Sequence, residues 1–120
     1  MTNKRNFGQA SETAAVEYLR GKGYEIIGRN WRCNLGELDI IARQGETIVF
    51  VEVRARHTDS PSAAFESVNP RKQSKLIQLA YRYLDAHNLS DADWRIDVIA
   101  IASPRRDKFL IEHAENALEW

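Results

Sequence analysis

The segment Thr47-Ile-Val-Phe-Val-Glu-Val53 is apolar on both of its alternating faces until Glu52 interrupts one of them. A strand of that kind is covered on both sides, so it belongs inside a sheet with further layers packed on each face. Its β-branched and aromatic residues suit a strand. Leu38-Asp-Ile-Ile-Ala42 reads as the strand before it. Arg43-Gln-Gly-Glu46, between the two, has the length and the glycine of a hairpin connection.

The register of this hairpin decides what Asp39 and Glu52 can do together. A loop at Gln44-Gly45 pairs Asp39 with Phe50 and leaves Glu52 on the diagonal, about 7–8 Å away between backbones. A loop at Gly45-Glu46 puts Asp39 directly opposite Glu52. Both registers place the two carboxylates on one face with Arg54, whereas a three-residue loop separates them. Two carboxylates beside a covered core repel each other unless a cation lies between them. Mg²⁺ and Mn²⁺ take oxygen ligands of this kind, and either can polarise a phosphodiester and lower the pKa of a water. The competing reading is that acidic strand residues usually face solvent and two of them coincide by chance.

The remaining chain supplies the covering layers. A helix is expected over Gly8–Lys22, with Ala15, Val16 and Leu19 on one stripe and Gly21-Lys-Gly23 closing it. A short strand follows over Tyr24–Trp31. Arg56–Val68 shows no period and reads as a long loop. Asn69-Pro70 is an N-cap followed by a proline at the first helical position. The helix it starts carries Leu76, Ile77, Ala80, Tyr83 and Leu84. Trp94–Ile101 is a strand, Ser103–Asp107 a turn and Phe109–His113 a last strand. The tail from Ala114 to Trp120 fits no single element. The order is α-β-β-β-α-β-β, an α/β chain with a mixed sheet flanked by helices, read as one domain over residues 1–120.

Further polar residues are candidates on their positions. Glu12 shares the apolar stripe of the first helix, where a carboxylate is costly unless it is paired or bound to metal. Its alternative is a first-turn glutamate favoured by the helix dipole. Gln73 lies on the apolar side of the second helix, either near a site or as the polar end of the stripe. Arg71, Lys72 and Lys75 surround it. Positive charge at a helix N-terminus opposes the dipole, so phosphate contact is one reason for this cluster and surface solvation the other. Arg29, Arg32, Arg54 and Arg56 would extend such a patch. Asp97 interrupts an apolar strand and reads as a weaker candidate or as the structural partner of an arginine. His57, in the loop, and His87, at the surface, receive no role.

Composition narrows the classes. The chain has 120 residues, enough to bury roughly two-thirds of its unfolded surface without disulfide or structural metal. Lysine and arginine total 17, as do aspartate and glutamate, so phosphate binding would need a local patch. Cys33 is the single cysteine, which excludes an internal disulfide and suits a reducing, cytoplasmic setting. No apolar run approaches the ~20 residues of a membrane span, and Met1–Asn6 does not read as a signal peptide.

The run Gly36-Glu-Leu-Asp-Ile-Ile-Ala42, followed by Val49-Phe-Val-Glu-Val-Arg54, resembles the YraN family of bacterial proteins. Ala15-Val-Glu-Tyr-Leu19, Gly23-Tyr24, Arg29-Asn-Trp-Arg32, Arg71-Lys-Gln73 and Arg95-Ile-Asp-Val-Ile-Ala-Ile101 extend the similarity over nearly the whole chain. That family is placed by similarity among the Holliday-junction-resolvase-like PD-(D/E)XK nucleases, whose restriction-endonuclease-like core has the order α-β-β-β-α-β. The resemblance implies Asp39 as the central metal-binding aspartate, Glu52 as the second acidic ligand and Glu12 as the glutamate of the first helix. It also implies Gln73 as a polar residue near the site. Arg54 stands where such nucleases usually carry lysine, and Leu38 where the motif has proline. Arginine stays protonated and cannot act as a general base, but it can orient a phosphate.

Two functions follow as expectations. One is a Mg²⁺- or Mn²⁺-dependent endonuclease acting on DNA, with branched DNA as a possible substrate. There Asp39, Glu52 and Glu12 hold the metal, Arg54 and Gln73 assist, and Arg56, Arg71, Lys72 and Lys75 bind nucleic acid. A homodimer would suit an enzyme that makes two cuts. The other is a non-catalytic module on the same scaffold that binds nucleic acid or a protein partner.

Overall fold

The computed structural model describes residues 4–58, 60–105 and 108–118. Helix α1 spans Lys4–Gly21 and is followed by strands β1 (Glu25–Cys33), β2 (Gly36–Gln44) and β3 (Thr47–Arg56). A short helix α2 (Ser62–Glu66), the longer α3 (Pro70–Ala86), and strands β4 (Trp94–Arg105) and β5 (Lys108–Ala114) complete the order. The strands lie in the sequence β1-β2-β3-β4-β5 across one sheet. Only β3 and β4 run parallel, because α2 and α3 carry the chain back between them. This is the mixed sheet flanked by helices that the patterning predicts.

The doubly apolar β3 lies at the centre of the sheet, as its composition requires. Val49 and Val51 face a cluster with Ala15, Val16 and Leu19 of α1 and Ile40, Ile99 and Ile101 of the sheet. Ile48 and Phe50 face the opposite cluster, with Leu76, Leu79, Ala80, Tyr83 and Leu84 of α3. Fully burying one such side chain contributes about 1.5–3 kcal/mol. The helices therefore clamp β3 from both sides and fix where its polar end emerges.

Several boundaries differ from expectation: α1 begins at Lys4 where the patterning predicts Gly8, and β1 and β2 run on to Cys33 and Gln44. The stretch read as loop, Arg56–Val68, contains α2. Ala64 is buried and Phe65 and the flanking Val68 are half-buried, and a five-residue helix is too short to leave a period in the sequence. The turn expected at Ser103–Asp107 begins later, because Ala102 pairs with Leu110 and Arg105 with Lys108, so β4 runs on to Arg105. Arg106 and Asp107 lie outside the described residues. In the tail, Leu118 is buried in the α3-side cluster.

The start of α3 matches its sequence signals. The Asn69 side chain accepts a hydrogen bond from the Lys72 backbone N–H at 3.0 Å, with Pro70 in the first turn. Asn69→Ala is expected to cost about 1 kcal/mol in urea denaturation. A change within about 0.2 kcal/mol would mean that Pro70 and the packing alone hold this helix start.

Candidate metal centre

The β2–β3 pairing runs from Gln44↔Thr47 to Ile40↔Val51, with the tight turn at Gly45-Glu46 and Gly45 at φ 61°. Of the two registers left open by the sequence, this is the one that sets Asp39 against Glu52. The pairing stops one step before them, while β2 stays on β1 and β3 stays on β4. At that point the Val53 N–H, which no longer has a β2 carbonyl opposite, donates to Asp39 Oδ2 at 2.9 Å. A side chain thus replaces a rung of the ladder, and Asp39 is fixed by the strand that carries Glu52.

Strict alternation fails here too. Leu38 and Ile41 both pack on the α3 side, whereas Ile40 packs on the α1 side. Asp39 consequently reaches both faces of the sheet. On one side it borders a packed gap with Glu52, Leu38, Phe50, Leu76 and Ile96, too narrow to hold a water, and on the other it lines a wide cleft on the α1 side.

Burial and the neighbouring Asp39 carboxylate push the Glu52 carboxyl up to about 9, against the opposing charges of Arg54 and Lys72. Burial beside a second carboxylate thus disfavours negative charge on Glu52, and a cation placed there would relieve it. Arg54 Nη2 lies 3.2 Å from Glu52 Oε2, and its Nε is buried without a partner.

Glu12 stands across the sheet on α1. Burial raises its pKa, the Asp39 charge adds to this, and Arg29 and Asn30 counteract it. Its Oε1 accepts from Arg29 Nε and Nη2, each at 3.4 Å. Asn30 reaches it from a left-handed backbone, φ 54°, at the β1 position opposite Asp39. Among the described residues no three His, Cys, Asp or Glu side chains converge on one point. In this arrangement Glu12 is paired with Arg29. The donor set is two carboxylates, which fits Mg²⁺ or Mn²⁺, cations that complete their shell with waters and substrate phosphate.

The other expected residues divide. Lys72 is half-buried and its charge reaches Glu52, while Arg71 and Lys75 are exposed nearby on α3. Lys75 passes over Gly36, whose φ of 143° and lack of Cβ leave room for the lysine Cε. Gln73 donates its amide to the Val68 carbonyl at 3.1 Å and lines neither the gap nor the cleft, so the structure does not bring it to the carboxylates. Arg56 lines the wide cleft together with Arg29 and Arg32.

Asp97 belongs elsewhere. Fully buried, it accepts from Arg95 Nε at 2.9 Å, from the Asn116 N–H at 2.9 Å, and pairs with His113 Nε2 at 2.7 Å. It is the structural partner of an arginine that its sequence position suggested. The sequence reading missed Asn30, the Val53 N–H, and the ring contact between Phe7 and His57. An asparagine inside a strand was the one available signal among them.

The raised Glu52 pKa predicts a pH dependence of stability. The folded state holds the Glu52 proton more tightly than the unfolded chain, so its contribution is complete below about 4.5 and is lost as pH rises through about 9. Without divalent cations, the denaturation midpoint should fall between pH 5 and pH 9, and Glu52→Gln should flatten that fall. A wild-type profile no steeper than that of Glu52→Gln would show that Glu52 holds no such proton.

Comparison with known proteins gives one consistent result. The description "Uncharacterised protein family UPF0102" matches residues 11–101. A UPF0102 protein of Chloroflexus aurantiacus is 52% identical over 103 residues, covering 85% of this chain and 83% of that protein. One from Roseiflexus castenholzii is 44% identical over 122 residues, covering 99% and 98%. One from Geotalea uraniireducens is 42% identical over 117 residues, covering 98% and 92%. The resemblance to the YraN family is thereby borne out.

Proposed function

The chain belongs to the UPF0102 family, and we propose that it is a metal-dependent endonuclease whose substrate is DNA. The observation that carries this reading is the Asp39–Glu52 pair, set where the β2–β3 pairing ends and beside the wide cleft that Asp39 lines. Asp39 and Glu52 would hold Mg²⁺ or Mn²⁺, which when bound supplies Lewis acidity to a phosphodiester and acidity to a water. Arg54, with a buried N–H to spare, orients the scissile phosphate and offsets its developing charge. It takes no proton itself. Glu12 stands in the wall of the same cleft as Asp39, held by Arg29. Arg71, Lys72 and Lys75 on one side, and Arg29, Arg32 and Arg56 on the other, hold the backbone by charge. Among the described residues no helix is long and apolar enough to cross a membrane. Branched DNA, a dimer that cuts twice and a cytoplasmic setting are further parts of this reading.

One observation favours the non-catalytic alternative. Arg54 Nη2 already lies 3.2 Å from Glu52 Oε2 and supplies positive charge beside the pair. Calorimetric titration of Mg²⁺ and Mn²⁺, run in two buffers of different ionisation enthalpy, separates the two. Binding with proton release that disappears in Asp39→Ala is the expected result. No binding to the wild type, even with DNA added, would leave a DNA- or partner-binding module.

A further inference from the structure

The wide cleft on the α1 side is larger than a phosphate site requires. Its volume is about 1290 Å³, against roughly 300–1,000 Å³ for ordinary small-molecule pockets. Asp39 forms part of its wall. Phe7 of α1 and His57, just past β3, both line it and stack on each other with ring centroids 3.9 Å apart and planes 24° apart. The stack thus joins two elements that the chain holds far apart in sequence. Arg29, Arg32 and Arg56 line the same cleft; Arg29 is paired with Glu12 at 3.4 Å and Arg32 with Glu37 at 3.2 Å, which holds these two guanidinium groups in place at its wall. Ser11 also lines it, almost fully buried, and its hydroxyl has no hydrogen-bond partner. A buried hydroxyl without a partner is unusual in a folded protein, and a ligand with a polar edge would satisfy it.

Flat aromatic surface, guanidinium groups and an unsatisfied polar wall together match one chemical object: a nucleotide whose base is not paired. In a duplex the base faces are stacked and closed to side chains, so a stacking surface gains nothing from double-stranded DNA. We propose that this cleft receives an unpaired nucleotide, with its base continuing the Phe7–His57 stack and its flanking phosphates met by Arg29, Arg32 and Arg56. The proposal deepens the nuclease reading, on which it rests for the meaning of Asp39 in the wall. It names the substrate class as DNA carrying unpaired bases beside the cut, as at a flap, gap or junction.

The test is binding in EDTA, where no cleavage intervenes. The probe is an oligonucleotide with one 2-aminopurine, offered as a single strand and as a blunt duplex. The single strand should bind about tenfold more tightly than the duplex, with quenching of the 2-aminopurine as it stacks. Phe7→Ala and His57→Ala should each remove the quenching and weaken single-strand binding about tenfold, leaving duplex binding unchanged. Phe7 is only half-buried and His57 exposed, so neither variant threatens the core. Equal affinity for both forms, absence of quenching in the wild type, or both variants behaving as wild type would overturn the proposal. A parallel assay with Mg²⁺ keeps the two ideas apart. Cleavage without quenching defeats the pocket and spares the nuclease. Quenching that depends on Phe7, with no DNA cut, defeats the nuclease and spares the pocket.

Discussion

Asp39→Ala and Glu52→Ala should each abolish DNA cleavage while the protein stays folded. Removing either carboxylate halves the donor set for a cation. Lewis-acid stabilisation is worth several kcal/mol in the transition state, so the rate should drop by about three powers of ten or more. The structural cost is smaller. In Asp39→Ala the Val53 N–H loses its acceptor, a penalty of about 1–3 kcal/mol if water does not replace it. In Glu52→Ala a repulsive neighbour is removed, but Arg54 loses its ion pair. The measurement is a metal-dependent cleavage assay on linear, nicked and branched DNA, with circular dichroism as the check on folding. Asp39→Asn and Glu52→Gln sharpen it, since they preserve shape and remove charge. Glu52→Gln removes the charge that burial opposes and is expected to be as stable as the wild type at pH 8, yet inactive. If any of these four variants cuts within tenfold of the wild type, the pair does not hold the metal, and the nuclease proposal has lost the observation that carries it.

Why the sequence reached so near this site, and where it stopped, follows from the chemistry of particular residues. β3 was legible because a strand apolar on both faces has few places to go. The hairpin was legible because glycine and spacing left two registers, both favourable. The first register was not excluded, because the choice rests on which residue takes the left-handed turn, and Gly45 suits either loop. The break in alternation at Asp39 was invisible. It depends on a side chain standing in for a ladder carbonyl at Val53, a tertiary substitution that leaves no periodic trace. Glu12 was correctly suspected of facing inward, but its partner is Arg29, brought from another strand. Gln73 was drawn toward the site by its place on the helix face. In the structure its amide is committed to the Val68 carbonyl, a bond that sequence spacing does not distinguish from solvent exposure.

Asp97→Ala should be the most destabilising single change at an ionisable position, without touching the candidate site. Asp97 is fully buried and meets Arg95, His113 and the Asn116 N–H. Its partners extend the network: Arg95 donates to the Tyr24 hydroxyl at 2.8 Å, and Lys22 Nζ lies 3.0 Å from His113 Nδ1. Truncation leaves a largely buried guanidinium without its counter-charge, a loss of about 3–5 kcal/mol. Urea denaturation would read it as a lower midpoint with the same slope, and the folded fraction should still bind Mg²⁺ as tightly as the wild type. A loss below about 1 kcal/mol would mean that water enters and solvates Arg95. Two buried acids in one sheet are thus distinguished by the sign of their response. Burial raises the Asp97 pKa, but the bonds from His113, Arg95 and Asn116 win and hold its carboxyl below the ordinary range. Its stabilising contribution is therefore complete above the ordinary carboxylate pKa and is lost as pH falls through the lowered one. Glu52 behaves in the opposite way, because burial, with a second carboxylate beside it, outweighs the charges of Arg54 and Lys72. An acid whose donors outweigh its burial belongs to the framework, whereas one whose burial outweighs its donors gains from an added cation, and that balance, not burial itself, distinguishes Glu52 from Asp97.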